Sequence, residues 1–408
     1  MKAQIKNFGL KKLLKTTTLA GWTLLARPVI YLLFFRRRDM MDAYATVDTS
    51  AVVFIVYSFI AFYIGSKKIF HTKEKIGKSI LFKTPILWFL FYSFLGGVSM
   101  LWSVNPKLSG FRAFECIATM LLIVAVIKEL FSTGDLRYVV LWSIFYCTWD
   151  IAFALSRRLQ WTTNLSLLLE SSQMMATTFF FMALYFTPRK WYNYLIMVMS
   201  IFSMSTVAYI GMALGAISAF WTKGNAKFIT IIVAIALLLT TLWMGPQNFF
   251  KKTIFFDKAE ISLEATSGRD HLMYLTIACV ERNPFGLGFF AAEPYVIYSS
   301  FGSVGVISAH NSLFSAGMGM GFPGIILLSI FFISMGSCVF SRYIPKPYKP
   351  ILIGCFCVAF LHCMGNPSVG TRVFGAWMPC MYVFVLISAF YVYGRYDLMK
   401  YENHMDNA

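Results

Sequence analysis

An all-α polytopic membrane protein of about twelve transmembrane helices, with a large loop on the outer face between spans nine and ten, is the fold class the sequence predicts. Three observations predict it. Of 408 residues, 58% are hydrophobic and only 13% charged, and the mean hydropathy is +0.66. So little polar surface excludes a soluble globular protein. Apolar runs long enough, or nearly long enough, to cross about 30 Å of hydrocarbon recur along the chain. Lys and Arg total 36 against 18 acidic residues, and the basic runs sit beside apolar ones. That arrangement suits loops facing anionic lipid rather than a nucleic-acid surface.

The first five spans are Thr16 to Phe35, Thr49 to Gly65, Thr84 to Trp102, Ala113 to Phe131 and Tyr138 to Ser156. No small-residue cleavage site follows the first, which runs into Arg36, Arg37 and Arg38, so it reads as uncleaved. Arg27 and Pro28 inside it leave an interfacial helix as the other reading. Spans six to nine are Met174 to Thr187, Trp191 to Met204, Val207 to Trp221 and Phe228 to Met244. Phe322 to Ser341, Pro350 to Met364 and Val373 to Tyr393 complete the set. The chain therefore divides into a bundle over 1–244, an outer loop with short helices over 245–321, three helices over 322–393 and a tail over 394–408.

Basic residues resist translocation, so Lys67, Lys68, Lys73, Lys75, Lys78 and Lys83 in one loop, with Arg189 and Lys190 in another, mark the inner face. Both termini are then cytoplasmic. Arg36 to Arg38 fall outside, against this rule. All of the eight cysteines except Cys279 lie in apolar spans and read as small buried hydrophobes; Cys355 and Cys357 have no histidine partners that would complete a metal set. No cofactor is expected.

Gly245 to Ala309 is the extramembrane stretch large enough to build a site, and its acids and bases are balanced as on a solvated surface. Within it, Ser267-Gly268-Arg269-Asp270 opens a helix of about four turns that Pro284 and the turn Asn283-Pro284-Phe285-Gly286-Leu287-Gly288 end. A cation in a first helical turn opposes the dipole, so Arg269 either holds an anion such as a diphosphate or pairs with Asp270 or Glu264. Ser308-Ala309-His310-Asn311-Ser312 places His310 at the start of the next helix, where the dipole keeps imidazole neutral: a base, or a structural histidine. Gly317, Gly319, Gly321, Pro323 and Gly324 follow in apolar context and predict a broken or closely packed helix, not a phosphate loop. Trp102-Ser103-Val104-Asn105-Pro106 precedes Arg112 and Glu115, which are three apart on one helix face and able to neutralise each other. Asp48, Lys128, Asp150 and His362 are other polar groups at or in spans, scattered without drawing an ion pathway.

Taken in order, Gly268-Arg269, Asn283-Pro284-Phe285-Gly286-Leu287-Gly288, His310-Asn311-Ser312-Leu313 and Gly321-Phe322-Pro323-Gly324, with the earlier Trp102-Ser103 motif and Arg112, resemble the O-antigen ligase and polymerase superfamily. The resemblance implies a bacterial inner-membrane glycosyltransferase whose large loop is periplasmic. It implies a donor glycan on undecaprenyl diphosphate, an acceptor glycan lipid, no metal or nucleotide sugar, and a chain-length regulator as partner. Carried over, His310 assists the acceptor hydroxyl and Arg269 holds the departing diphosphate, with Arg112, Arg282, Asn311 and Arg372 as substrate-binding candidates. Many ligases carry Ser-Arg where this chain has Ser203-Met204-Ser205-Thr206, so a second arginine is absent there or supplied by Arg112, Arg282 or Arg372. That departure favours polymerisation of repeat units of O antigen or exopolysaccharide over ligation of finished chains to lipid A core. A transporter is the reading of another class, and the halves show no internal repeat to support it.

Overall fold

A computed structural model describes residues 17–34, 49–72, 75–159, 269–301, 311–365, 369 and 377–405. All regular structure among them is helical. The helices are α1 Leu19–Phe34, α2 Thr49–Phe70, α3 Ile76–Phe82, α4 Ile86–Val98, α5 Pro106–Ser132, α6 Leu136–Leu159, α7 Arg269–Arg282, α8 Ala292–Phe301, α9 Ser312–Phe340, α10 Lys349–Gly365 and α11 Trp377–Met405.

Four described helices are long and apolar enough to cross a membrane, α2, α5, α9 and α11, and the pair α3 and α4, bent by 66°, makes a fifth if counted as one span. α1 and α10 are apolar but shorter. The described helices of the bundle fall where apolar runs predict them except α3, which lies in the lysine-rich stretch read as a loop before Thr84, while spans six to nine lie outside the described residues. α9 begins at Ser312 rather than near Phe322, so the glycine-rich stretch lies inside a helix that kinks at Gly321.

α5 is the central helix, packing on α2, α4 and α11 and touching α1, α3 and α6 as well. Its start is encoded locally: Asn105 caps it by accepting from the Leu108 N–H at 3.2 Å, and Pro106 occupies the first turn, where a missing N–H costs nothing. Between α4, α9 and α11 the core is aromatic, with Phe89 against Tyr92, Phe331 and Trp377. α11 is almost wholly buried over its span, whereas only a third of α2 is buried.

Two groups of polar contacts sit toward opposite ends of α5, whose 27 residues span about 40 Å. At the C-terminal end, the Lys128 ammonium donates to the Lys68 carbonyl at 3.0 Å and the Thr72 hydroxyl at 2.6 Å, closing off the last turn of α2. Glu129 pairs with Lys68 at 2.7 Å and accepts from the Thr18 hydroxyl. The Lys67-to-Lys83 stretch belongs to this end, and Ser79 joins Tyr396 of α11 at 2.9 Å. The motif residues gather at the other end.

Candidate functional site

The kink in α9 is written in two residues. Pro323 has no N–H to give the Gly319 carbonyl, and Gly321 departs from helical geometry at φ 63, ψ −148, which turns the Phe322 N–H away from the Met318 carbonyl. Two carbonyls of a buried helix thus lose their intrahelical donors. The turn after α7 replaces them: Leu287 N–H donates to Met318 at 2.9 Å, Gly288 N–H donates to Gly319 at 2.8 Å, and the Phe322 N–H goes to the Pro284 carbonyl at 3.0 Å. Irregular backbone inside a membrane protein survives only with such replacement.

That approach requires glycine. A Cβ on Gly321 would lie 1.8 Å from the Pro284 carbonyl oxygen, and one on Gly286 would lie 2.5 Å from the Gly319 backbone. The third motif closes the other side. Val104 N–H donates to Leu287 at 2.9 Å, the Trp102 indole N–H donates to the Phe285 carbonyl at 3.0 Å, and the Phe289 N–H donates to the Ser99 hydroxyl at 2.9 Å. Ser109 donates to the Phe289 carbonyl at 2.7 Å and shares a hydrogen bond with Ser103. Three sequence motifs separated by nearly two hundred residues are therefore one hydrogen-bonded body.

From this body α7 and the first half of α9 run back side by side, with Thr276 against Gly317. Their N-termini consequently begin on the same side of the break, and Arg269 is the first residue of α7. His310 lies outside the described residues. Asn311, next to it, caps α9 by accepting from the N–H groups of Leu313 and Phe314 and donates to the Met364 carbonyl at 2.9 Å, tying the start of α9 to the end of α10. The Val369 N–H donates to Ser312 at 3.3 Å, which brings the chain just ahead of Arg372 to the same helix start; Arg372 is outside the described residues. Arg282 is exposed in the last turn of α7, where a cation suits the dipole.

Arg112 faces the far side of the turn. Its guanidinium lies 4.8 Å from the centre of the Phe290 ring and 2.7 Å from Glu115. Phe290 has φ 64, unusual for a bulky residue, and the tight turn from Phe289 to Ala291 around it holds that conformation. Backbone strain of this kind persists where surrounding contacts over-determine it, and functional sites are its common home. The Arg112–Glu115 pairing that the spacing predicts is present, but not alone: Glu115 is also held by Arg27 of α1 at 2.9 Å. Arg27 bonds Thr119 at 2.9 Å and stands over the Tyr57 ring, so the cation that made the first span doubtful is buried and matched.

Other expectations meet the structure as follows. Glu293, read as part of a solvated surface, is buried in the first turn of α8 at 2% exposure. All eight cysteines are free, seven of them buried, and burial pushes the Cys279 thiol above its ordinary value. Among the described residues, no group of three His, Cys, Asp or Glu side chains is placed to hold a metal. Phe290 and the Arg27 link carry no motif; only the oddity of an arginine in an apolar run pointed to the second.

No curated protein matches the chain. Residues 191–329 match the family model described as O-Antigen ligase. That stretch contains Arg269, Arg282, His310, Asn311 and the turn stitched into α9, and it leaves Arg27, Arg112 and Arg372 outside. Over residues 191–329, about a third of its length, the chain is thus similar to the O-antigen ligase family.

Proposed function

We propose that this protein transfers glycan from an undecaprenyl-diphosphate-linked donor to an acceptor sugar at the periplasmic face, polymerising repeat units. One observation carries the reading. The turn at 283–288 is built into the break of α9, so the helices that begin at Arg269 and just after His310 start on one side, and Arg112 meets the same body through Phe290. In the reaction the acceptor hydroxyl oxygen attacks the anomeric carbon and its proton passes to neutral His310. The bond from that carbon to the phosphate oxygen breaks, and undecaprenyl diphosphate departs with its growing charge met by Arg269. Arg112, Arg282 and Arg372 are the candidates for a second contact to the diphosphate, and Asn311 fixes the backbone next to the base.

The periplasmic orientation rests on the two ends of α5. The lysine-rich end belongs inside with both termini, which leaves the motif end outside. Twelve spans, of which six to nine fall within 174–244, complete the proposed topology. The description of the matching family favours a second reading, ligation of finished polysaccharide to lipid A core. Purified protein given only a lipid-linked repeat unit separates the two. Polymer should form; if chains appear only after a lipid A core acceptor is added, the ligase reading replaces the polymerase.

A further inference from the structure

We propose that Arg27, on the first helix, is a positioning residue that keeps Arg112 cationic toward the donor diphosphate by holding the carboxylate of Glu115. This inference rests on the proposed transfer reaction and takes Arg112, of the three candidate arginines, as the second contact to the diphosphate.

Glu115 has 2% side-chain exposure and presents one oxygen to each arginine: Oε1 lies 2.9 Å from Arg27 and Oε2 lies 2.7 Å from Arg112. Two guanidinium groups therefore share one carboxylate, and the three side chains together carry a single positive charge. Were Arg112 and Glu115 alone, they would form a closed, neutral i,i+3 pair with little attraction left for an anion. Arg27 prevents that closure, and it is itself fixed. Its other amino group bonds Thr119 at 2.9 Å, and the Tyr57 ring lies 5.5 Å from its centre. These contacts hold Arg27 in place beside Glu115. Arg112 is the more exposed of the two arginines, 21% against 5% for its side chain, and it is the one that meets Phe290. A buried arginine in a short apolar helix is costly unless paired, and this pairing gives α1 a reason to carry one.

Charge logic and mere structural support predict different rescue patterns. Wild-type protein, Arg27→Met, Arg27→Met with Glu115→Gln, and Arg27→Met with Glu115→Gln and Arg112→Gln are purified in detergent. Each is tested for folding by size exclusion and thermal unfolding, then for undecaprenyl diphosphate binding by thermal shift and for KM and kcat on a lipid-linked repeat unit. Arg27→Met should weaken binding and raise KM by about tenfold, the scale of one lost charge-assisted hydrogen bond, with kcat little changed. The double variant should recover to near wild type, because Glu115 no longer neutralises Arg112, and the triple variant should lose binding again. If Arg27→Met does not fold, Glu115→Gln alone decides: binding at least as tight as wild type supports the inference, weaker binding overturns it. A double variant as weak as Arg27→Met, or an Arg27→Met that binds like wild type, also overturns it. Wild-type protein that binds undecaprenyl diphosphate yet turns over no lipid-linked glycan would sink the proposed reaction and leave the charge arrangement standing.

Discussion

Single side chains divide here into those that do chemistry and those that hold them. His310→Ala removes the proposed base and Arg269→Ala the cation under the leaving diphosphate; each should lower turnover by about a hundredfold or more while leaving abundance normal. Gel profiles of surface polysaccharide check this, and normal chain lengths in either variant would remove that residue from the mechanism. Phe290 supplies a different test, because its left-handed backbone is strained by about 1–3 kcal/mol while its ring supports Arg112. Phe290→Gly relieves the strain and forfeits the packing of a half-buried ring, terms of similar size. Thermal stability should therefore change little, whereas KM for the donor rises. A large fall in melting temperature would show that the ring matters for packing rather than for the site. Cys279, buried in α7 with its thiol pushed up, should react with maleimide far more slowly than an exposed cysteine at pH 7 and respond only above the usual thiol range.

Among elements, the break in α9 is the one whose sequence and structure explain each other most fully. Pro323→Ala supplies an N–H that competes with Gly288 for the Gly319 carbonyl, so the helix can heal and push out the turn. Proteolysis near 283–290 should quicken and activity should fall, although proline-to-alanine changes in helices ordinarily stabilise; unchanged proteolysis would mean the turn does not depend on the break. The glycines, the proline and the apolar runs were legible in sequence because they act through local backbone geometry. What they pack against was not legible. Nothing in Asn283 to Gly288 says that its amides will fill carbonyls of Met318 and Gly319, and nothing near Glu115 names Arg27, 88 positions earlier, as its second partner. Glu293 was misjudged for the same reason: a carboxylate in a polar stretch reads as solvated until the neighbouring helix covers it. Long-range partners are set by tertiary packing, which the period of a helix does not encode.

For the whole molecule, the decisive property is that α5 separates two chemically distinct ends. At one end Lys128, Glu129 and Lys68 link α5 to α2; at the other Arg112 meets the turn at Phe290. Basic residues favour the cytoplasmic side, and the proposed reaction would consume its undecaprenyl-diphosphate-linked donor on the opposite side, so the two ends should face different compartments. Cysteine introduced at Lys107, exposed beside the motif end, should react in intact cells with a membrane-impermeant maleimide, and cysteine at Ser132, exposed at the other end, only after permeabilisation. A background in which the native cysteines, mostly buried, are replaced by alanine or serine keeps the readout clean. Labelling of Ser132→Cys from outside would invert the molecule and place the motif body in the cytoplasm. Arg269 and His310 could not then meet a periplasmic donor, and the transfer reaction would have to be abandoned even if every hydrogen bond around α9 were correct.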